Sequence, residues 1–454
     1  MVESPITLVR AGFVLPIDGA TDCLCDGAVA IGGDAILELD GWAALRQRHP
    51  QAEVIGDGHG ILLPGLVNVH THLSEALLPS LTDRMNLFEW FDRILAHGLR
   101  HLDREKARVG TLLKACEMLR SGITTVSDMF VHYNPGSQAS LGVVDGLEEA
   151  GLRGVVSFGP EDAFDGADPD GAMAEHWALK ERTDASPLVG FRLGIGTLGG
   201  QSEALRRLSI EEARRQGWAV HTHLAEVREE VTDFRRAHGC TPVKYAAQLG
   251  LLDLELLAAH CIWLTEEDLA LLQGAHVAVA HNPVANMYLG SGVCQVPRML
   301  QAGMTVGLGT DGAASNNNQN MFGVLKTAAL LQKVTHLDAA VIQARTIVRM
   351  ATLGGAQALG LADEIGSLEP GKRADMVLLD GNHPALTPIH DPYQQLVYSA
   401  TGAEVTDVWV NGRRVLAGGR VTTADEGASV AQAREQAADI VRRAPALQSY
   451  SNIL

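Results

Sequence analysis

Between about residue 60 and residue 315 the chain repeats one pattern eight times: a short apolar run, then a longer amphipathic stretch. The runs are "LVNVHTH", "ITTVSDM", "RGVVSFG", "VGFRLGIG", "WAVHTHLAE", "LLAAHCIW", "HVAVAHNP" and "TVGLGTDG". Stretches between them, such as "REKARVGTLLKACEMLRS" and "SEALRRLSIEEARRQG", carry apolar residues at helical spacing. Strands alternating with helices build a parallel sheet, because a parallel crossover is long and a helix supplies the length. Eight units predict an α/β fold, a (β/α)8 TIM-type barrel over residues 61–366. The flanks differ in texture. Residues 1–60 and 367–454 hold short alternating strands and turn signals, among them Asn411-Gly412 in "VWVNGRRVL", a hairpin dipeptide. They predict a small β-sandwich domain assembled from both chain ends, with a terminal helix over "ASVAQAREQAADIVRRA".

Barrels of this kind keep their chemistry at the C-terminal ends of the strands, and His70, His72, His223, His260 and Asp311 all fall there. Successive strand side chains point to opposite faces, so His70 and His72 share one face while Thr71 takes the other. "HTHLAE" repeats the device with His221 and His223, and Glu226 follows three residues past His223. Asp311 sits in "GLGTDGAASNN", a glycine-flanked turn where backbone can approach a ligand. Any one of these residues alone reads as a hydrogen-bonded buried histidine or a helix-capping aspartate. Their joint placement on one face reads as a metal site. Neutral imidazoles and a carboxylate suit zinc, and three or four of them plus a water make a catalytic site rather than a closed structural one.

A formal charge of −18, from 36 Lys+Arg against 54 Asp+Glu with no basic block, disfavours a nucleic-acid partner. No apolar stretch is long enough to span a bilayer, and "MVESPITLVRAGFVL" lacks the pattern of a secretory signal, so no membrane partner and a cytoplasmic location are expected. Six scattered cysteines have neither zinc-ribbon spacing nor disulfide-scaffold density and read as free thiols.

Taken together, "PGLVNVHTH", "HTHLAE", "AHC", "HNPVANMYLGSG" followed by "PRMLQAGM", "GLGTDGAASNN" and "MATLGGAQALGLADEIGSLEPGKRADMVLLD" resemble the amidohydrolase superfamily. More narrowly they resemble the branch of adenosylhomocysteine and methylthioadenosine deaminases, guanine-type deaminases and triazine (atrazine-type) hydrolases. The resemblance covers nearly the whole chain. It implies that His70, His72, His223 and Asp311 bind one divalent metal ion, usually zinc and in some relatives iron. Glu226 would shuttle protons, His260 would polarise the water or the nascent oxyanion, and Asp311 would take up the water's proton. Binuclear relatives carry a bridging lysine on strand four; "VGFRLGIG" has none, which favours a single ion. A homodimer or homotetramer is expected.

The activity implied is hydrolytic deamination of a small aminated nitrogen heterocycle of purine, pterin, pyrimidine or triazine type. Dechlorination or dealkylamination of a triazine-like ring, and deamination of adenosylhomocysteine or methylthioadenosine, are the alternatives. Nucleoside-deaminating relatives carry a ribose-holding glutamate about nine residues after a tryptophan and a histidine after strand four. Here Trp90 leads to Leu99, and Thr197 and Leu198 occupy the second place, so a free base is expected to fit better than a nucleoside. Trp90 could stack on a planar ring or simply pack. His132 could line the pocket or secure a loop, as could His281 and Asn282 at the end of strand seven. Ser315 would contact substrate, orient Asp311 or cap the next helix.

Overall fold

The computed structural model describes residues 5–81, 84–166 and 168–448 of the 454. All eight predicted runs are strands, buried almost throughout as strands covered on both faces must be. They pair in chain order in two parallel sheets. The first holds Leu66–Thr71, Ile123–Phe130, Arg153–Phe158 and Val189–Phe191; the second holds Leu193–Thr197, Val220–Leu224, Leu256–His260, Val277–His281 and Thr305–Leu308. These are strands one to eight, the fourth in two pieces. Its break falls at Arg192, a buried residue whose guanidinium donates to Glu255 Oε1 (2.7 Å) and to the carbonyl of Ala358 (3.1 Å). Its first piece pairs with strand three and its second with strand five.

Strand eight comes against strand one. A methyl group on Gly307 would lie 2.6 Å from Val69 Cγ1, and the backbone N–H of Asp311 donates to the carbonyl of His70 at 3.0 Å. Several helices between strands start at side-chain caps: Asp103 accepts from the N–H of Lys106 ahead of Arg104–Arg120, and Ser202 from that of Leu205 ahead of Glu203–Gln216. Thr265 and Asp268 form a capping box at Glu266–Gln273.

The two flanks join in one nine-stranded sheet, Ile61–Pro64 pairing antiparallel with Met376–Leu379. Asn411 and Gly412 both adopt left-handed backbone (φ 52° and 75°) and turn Val405–Val410 into Arg413–Ala417, as a two-residue hairpin requires. The C-terminal helix Glu426–Arg443 lies on Arg104–Arg120, with Arg120 paired to Glu426. All six cysteines are free, four of them buried. Among the described residues no helix is long and apolar enough to cross a membrane.

Candidate active site

Strand periodicity delivers the histidines of strands one and five to one point. His70 is fully buried and His72 nearly so, while Thr71, on the other face, donates to the carbonyl of Asp311 (2.9 Å) and ties strand one to the turn after strand eight. Hydrogen-bond chemistry then fixes where each imidazole lone pair points. His72 Nδ1 lies 2.7 Å from the carbonyl of Met129, and His223 Nδ1 lies 2.7 Å from that of Gly196. A carbonyl only accepts, so both Nδ1 atoms carry the proton and both Nε2 atoms present lone pairs. Those Nε2 atoms are 3.1 Å apart. No hydrogen bond can join two lone pairs, so the pair is favourable only with a positive charge between its members.

A relay sets His70 in the same way. Ser157 Oγ donates to the carbonyl of Asp128 (2.8 Å), so the Nδ1–H of His221 is the donor toward Ser157 (3.3 Å). His221 Nε2 therefore accepts from His70 Nδ1 at 2.9 Å, and His70 Nε2 is left buried without a hydrogen-bond partner, 3.6 Å from Asp311 Oδ1. Burial lowers the pKa of His70 to about 4 and pulls His72 and His223 down as well, so all three are neutral near pH 7. Asp311 Oδ1 is also 3.4 Å from His72 Nε2. Burial alone would raise its pKa, but His260, whose own pKa is raised, helps hold the carboxyl well below the usual range. Ligand atoms of His70, His72 and Asp311, and those of His70, His223 and His260, lie within 4.8 Å of one another. Three inward lone pairs, one of them on the orphaned His70 Nε2, and one carboxylate fit a divalent ion.

Two further groups border this cluster. His260 stacks on His223 with ring centroids 5.4 Å apart; its Nδ1 bonds Asn286 Oδ1 (2.8 Å), and its Nε2 is 3.6 Å from Glu226 Oε2 and 3.7 Å from Asp311 Oδ2. Burial would lower its pKa, but the two carboxylates outweigh that and raise it. Glu226 is buried, which raises its pKa, and Ser291 Oγ donates to it at 3.0 Å. The backbone N–H groups of Ala225 and Glu226 donate to Glu230 (3.0 and 2.8 Å), which anchors the loop carrying Glu226. His260 and Asp311 both hold left-handed backbone (φ 72° and 62°), strain of a kind concentrated at functional sites.

A cleft opens over the cluster, walled by His72, His223, Glu226, His260 and Asp311 and by an apolar side that includes Trp90 and Leu99. Trp90 is on this wall, its indole N–H donating to the carbonyl of Ala314 (3.2 Å), and so is Ser315, whose hydroxyl donates to the carbonyl of Gly312 (3.2 Å). His132 is not. Its Nε2 bonds Glu175 Oε1 at 2.9 Å and its ring stacks on Phe158, away from the cleft. His281 and Asn282 are fully buried and off the wall too. Two carboxylates that sequence reasoning passed over do line it: Glu75, which accepts from the N–H of Ala314 (2.9 Å), and Glu161. Glu75 ends the one-turn 3₁₀ helix Leu73–Glu75 and Glu161 precedes the short helix Asp162–Asp165, both too short for a periodicity to announce a facing; the only signal was an acidic residue a few positions past a strand end.

Residues 61–415 match the amidohydrolase family. The chain belongs to the amidohydrolase family. It is 36% identical to the 5-methylthioadenosine/S-adenosylhomocysteine deaminase of Pelotomaculum thermopropionicum over 96% of this chain and 99% of that protein. It is 38% identical to the 5'-deoxyadenosine deaminase of Methanothermobacter thermautotrophicus over 86% and 90%. Among solved structures, an adenosine deaminase of Xanthomonas campestris with bound zinc superposes with a TM-score of 0.90 at 32% identity, covering 97% of this chain and 99% of that one. This amidohydrolase is accordingly an enzyme acting on carbon–nitrogen bonds other than peptide bonds.

Proposed function

We propose that this amidohydrolase is a metal-dependent hydrolytic deaminase in which His70, His72, His223 and Asp311 hold one divalent ion, zinc before iron. The observation that carries the reading is the meeting of two lone-pair nitrogens, His72 Nε2 and His223 Nε2, at 3.1 Å beside the Asp311 carboxylate. An ion held there supplies Lewis acidity, bringing the pKa of coordinated water toward about 7.

The chain's own groups do the rest. Asp311, held ionised, accepts the proton of the attacking water. Glu226, whose burial favours its protonated form, donates to the ring nitrogen next to the carbon under attack, and His260 offsets charge developing on the oxygen. Ammonia leaves. Trp90 and Ser315 face the substrate; His132, His281 and Asn282 support the wall from behind.

For the substrate we favour an aminopurine on a nucleoside-like scaffold over the free base. The named relatives support this, as does a cleft that runs beyond the reacting cluster between Trp90, Leu99 and Glu161. The fold that presents the site is read as a closed eight-stranded barrel over residues 61–366, with 1–60 and 367–454 forming a small β-sandwich and the terminal helix. The contact of strand eight with strand one supports closure. The test is ammonia release from a panel of aminopurines, pterins, pyrimidines, triazines and their nucleosides. Turnover of adenine nucleosides is expected; release of ammonia from none of the panel rejects the reading.

A further inference from the structure

We propose that Ser291 is a positioning residue for Glu226: its hydroxyl holds Oε1 and so directs the acid's proton to Oε2, the oxygen that faces the reacting centre. The inference rests on the deaminase reading above. Ser291 is buried, and its Oγ donates to Glu226 Oε1 at 3.0 Å. Oε2 is the oxygen turned to His260 Nε2 (3.6 Å), and that imidazole lies 3.7 Å from Asp311 Oδ2. The two oxygens of one carboxyl thus have different neighbours, a fixed donor on one side and the reacting cluster on the other.

Backbone, rather than the hydroxyl's own bond, delivers it there. Ser291 donates its N–H to the carbonyl of Asn286 (2.8 Å), and its carbonyl accepts the indole N–H of Trp263, in the loop after strand six, at 2.8 Å. Glycines flank it in left-handed backbone, Gly290 at φ 68° and Gly292 at φ 132°, the second a conformation that side chains rarely adopt. A methyl group on Gly292 would also come within 2.9 Å of Ile262 Cγ2. Asn286, at the other end of the same short segment, accepts from His260 Nδ1. One stretch after strand seven therefore sets both Glu226 and His260, and its backbone bonds do not depend on which side chain stands at 291.

A protonated carboxyl carries its hydrogen on one oxygen and accepts on the other. A proton on Oε1 would break the donation from Ser291 or force that hydroxyl to reverse, so the form with its O–H at Oε2 is favoured. That O–H stands on the cleft wall, at the reacting end. As the proton passes to the ring nitrogen, the Oε2–H bond breaks, the N–H bond forms and Glu226 is left ionised, with Ser291 donating to Oε1 before and after. No donor has to reorient during the transfer, which is how preorganised groups lower a barrier. Without the hydroxyl the two oxygens compete for the proton, and part of the population presents no acid to the ring.

The test measures kcat and KM for adenosine, and equilibrium dialysis of inosine, in wild type, Ser291→Ala, Ser291→Cys, Glu226→Gln and the double variant carrying both Ser291→Ala and Glu226→Gln. Unchanged melting temperature and metal content check the fold. Ser291→Ala should lower kcat about 10- to 100-fold while KM stays within about 3-fold. Ser291→Cys fills the same space but donates weakly, and should fall alongside it. Inosine already carries a proton on that ring nitrogen, so its binding should stay within about 3-fold of wild type. In the Glu226→Gln background the acidic proton is gone, and adding Ser291→Ala should cost less than about 3-fold more. Wild-type kcat in Ser291→Ala, inosine binding that falls with kcat, or losses that multiply in the double variant overturn the proposal. Any of these beside a wild type that deaminates adenosine leaves the deaminase reading standing; a wild type that deaminates no member of the panel sinks both.

Discussion

His72 and His223 sit on strands far apart in sequence, yet each has its Nδ1 proton taken by a backbone carbonyl and its Nε2 turned toward the other. That arrangement makes the ligand set testable one residue at a time. Replacing His223 with Ala should remove most of the bound ion, which elemental analysis would read directly. His221 acts one step back by accepting from His70, so His221→Phe should weaken metal affinity about 10- to 100-fold while the fold persists, measurable by chelator competition. Glu226→Gln should retain the ion and lower turnover about 10²- to 10⁴-fold. Because burial raises the Glu226 pKa, the wild-type rate should fall on the alkaline side as that carboxyl ionises. Much of this was legible in the sequence, because a period of two assigns His70 with His72, and His221 with His223, to common faces. His132 misled for the complementary reason. It lies just past the end of strand two at Phe130, where alternation no longer decides facing, and it turns to Glu175 on the helix Pro169–Asp184.

Among the elements, the loop after strand five couples catalysis to stability. Glu230, at the start of the helix Arg228–His238, accepts the N–H groups of Ala225 and Glu226. Burial pushes its pKa up from 4.5 to about 7, against the pull of those two N–H groups. A carboxyl with a raised folded-state pKa binds its proton more tightly folded than unfolded, so its contribution is complete below about pH 4.5 and is lost as pH rises through about 7. Urea unfolding should therefore show the wild type losing on the order of 1–3 kcal/mol more than Glu230→Gln between pH 5 and pH 8. Equal pH dependence of the two proteins would show that Glu230 titrates the same folded and unfolded. Strand and helix positions were readable from apolar runs and caps, since those are local signals. The break at Arg192 was not, because it depends on Glu255 and Ala358, far along the chain.

Over the whole molecule, the chain ends meet in one sheet through Ile61–Pro64 and Met376–Leu379, and the strand ends of the two parallel sheets gather the ligand cluster. The sequence announced the β/α repeats and the meeting of the flanks. It was silent on Glu75 and Glu161, whose facing is set by several packed segments, while the free-base expectation came from Leu99, Thr197 and Leu198 standing where nucleoside-deaminating relatives hold a ribose. The central claim is that one ion, held by His70, His72, His223 and Asp311, makes this protein a deaminase. It is tested most directly by stripping the purified protein with a chelator and titrating zinc back while following ammonia release from an adenine nucleoside. The account predicts no turnover in the stripped protein and activity rising linearly to a plateau at about one zinc per chain. Full turnover without metal, or a plateau reached only at two, would contradict it.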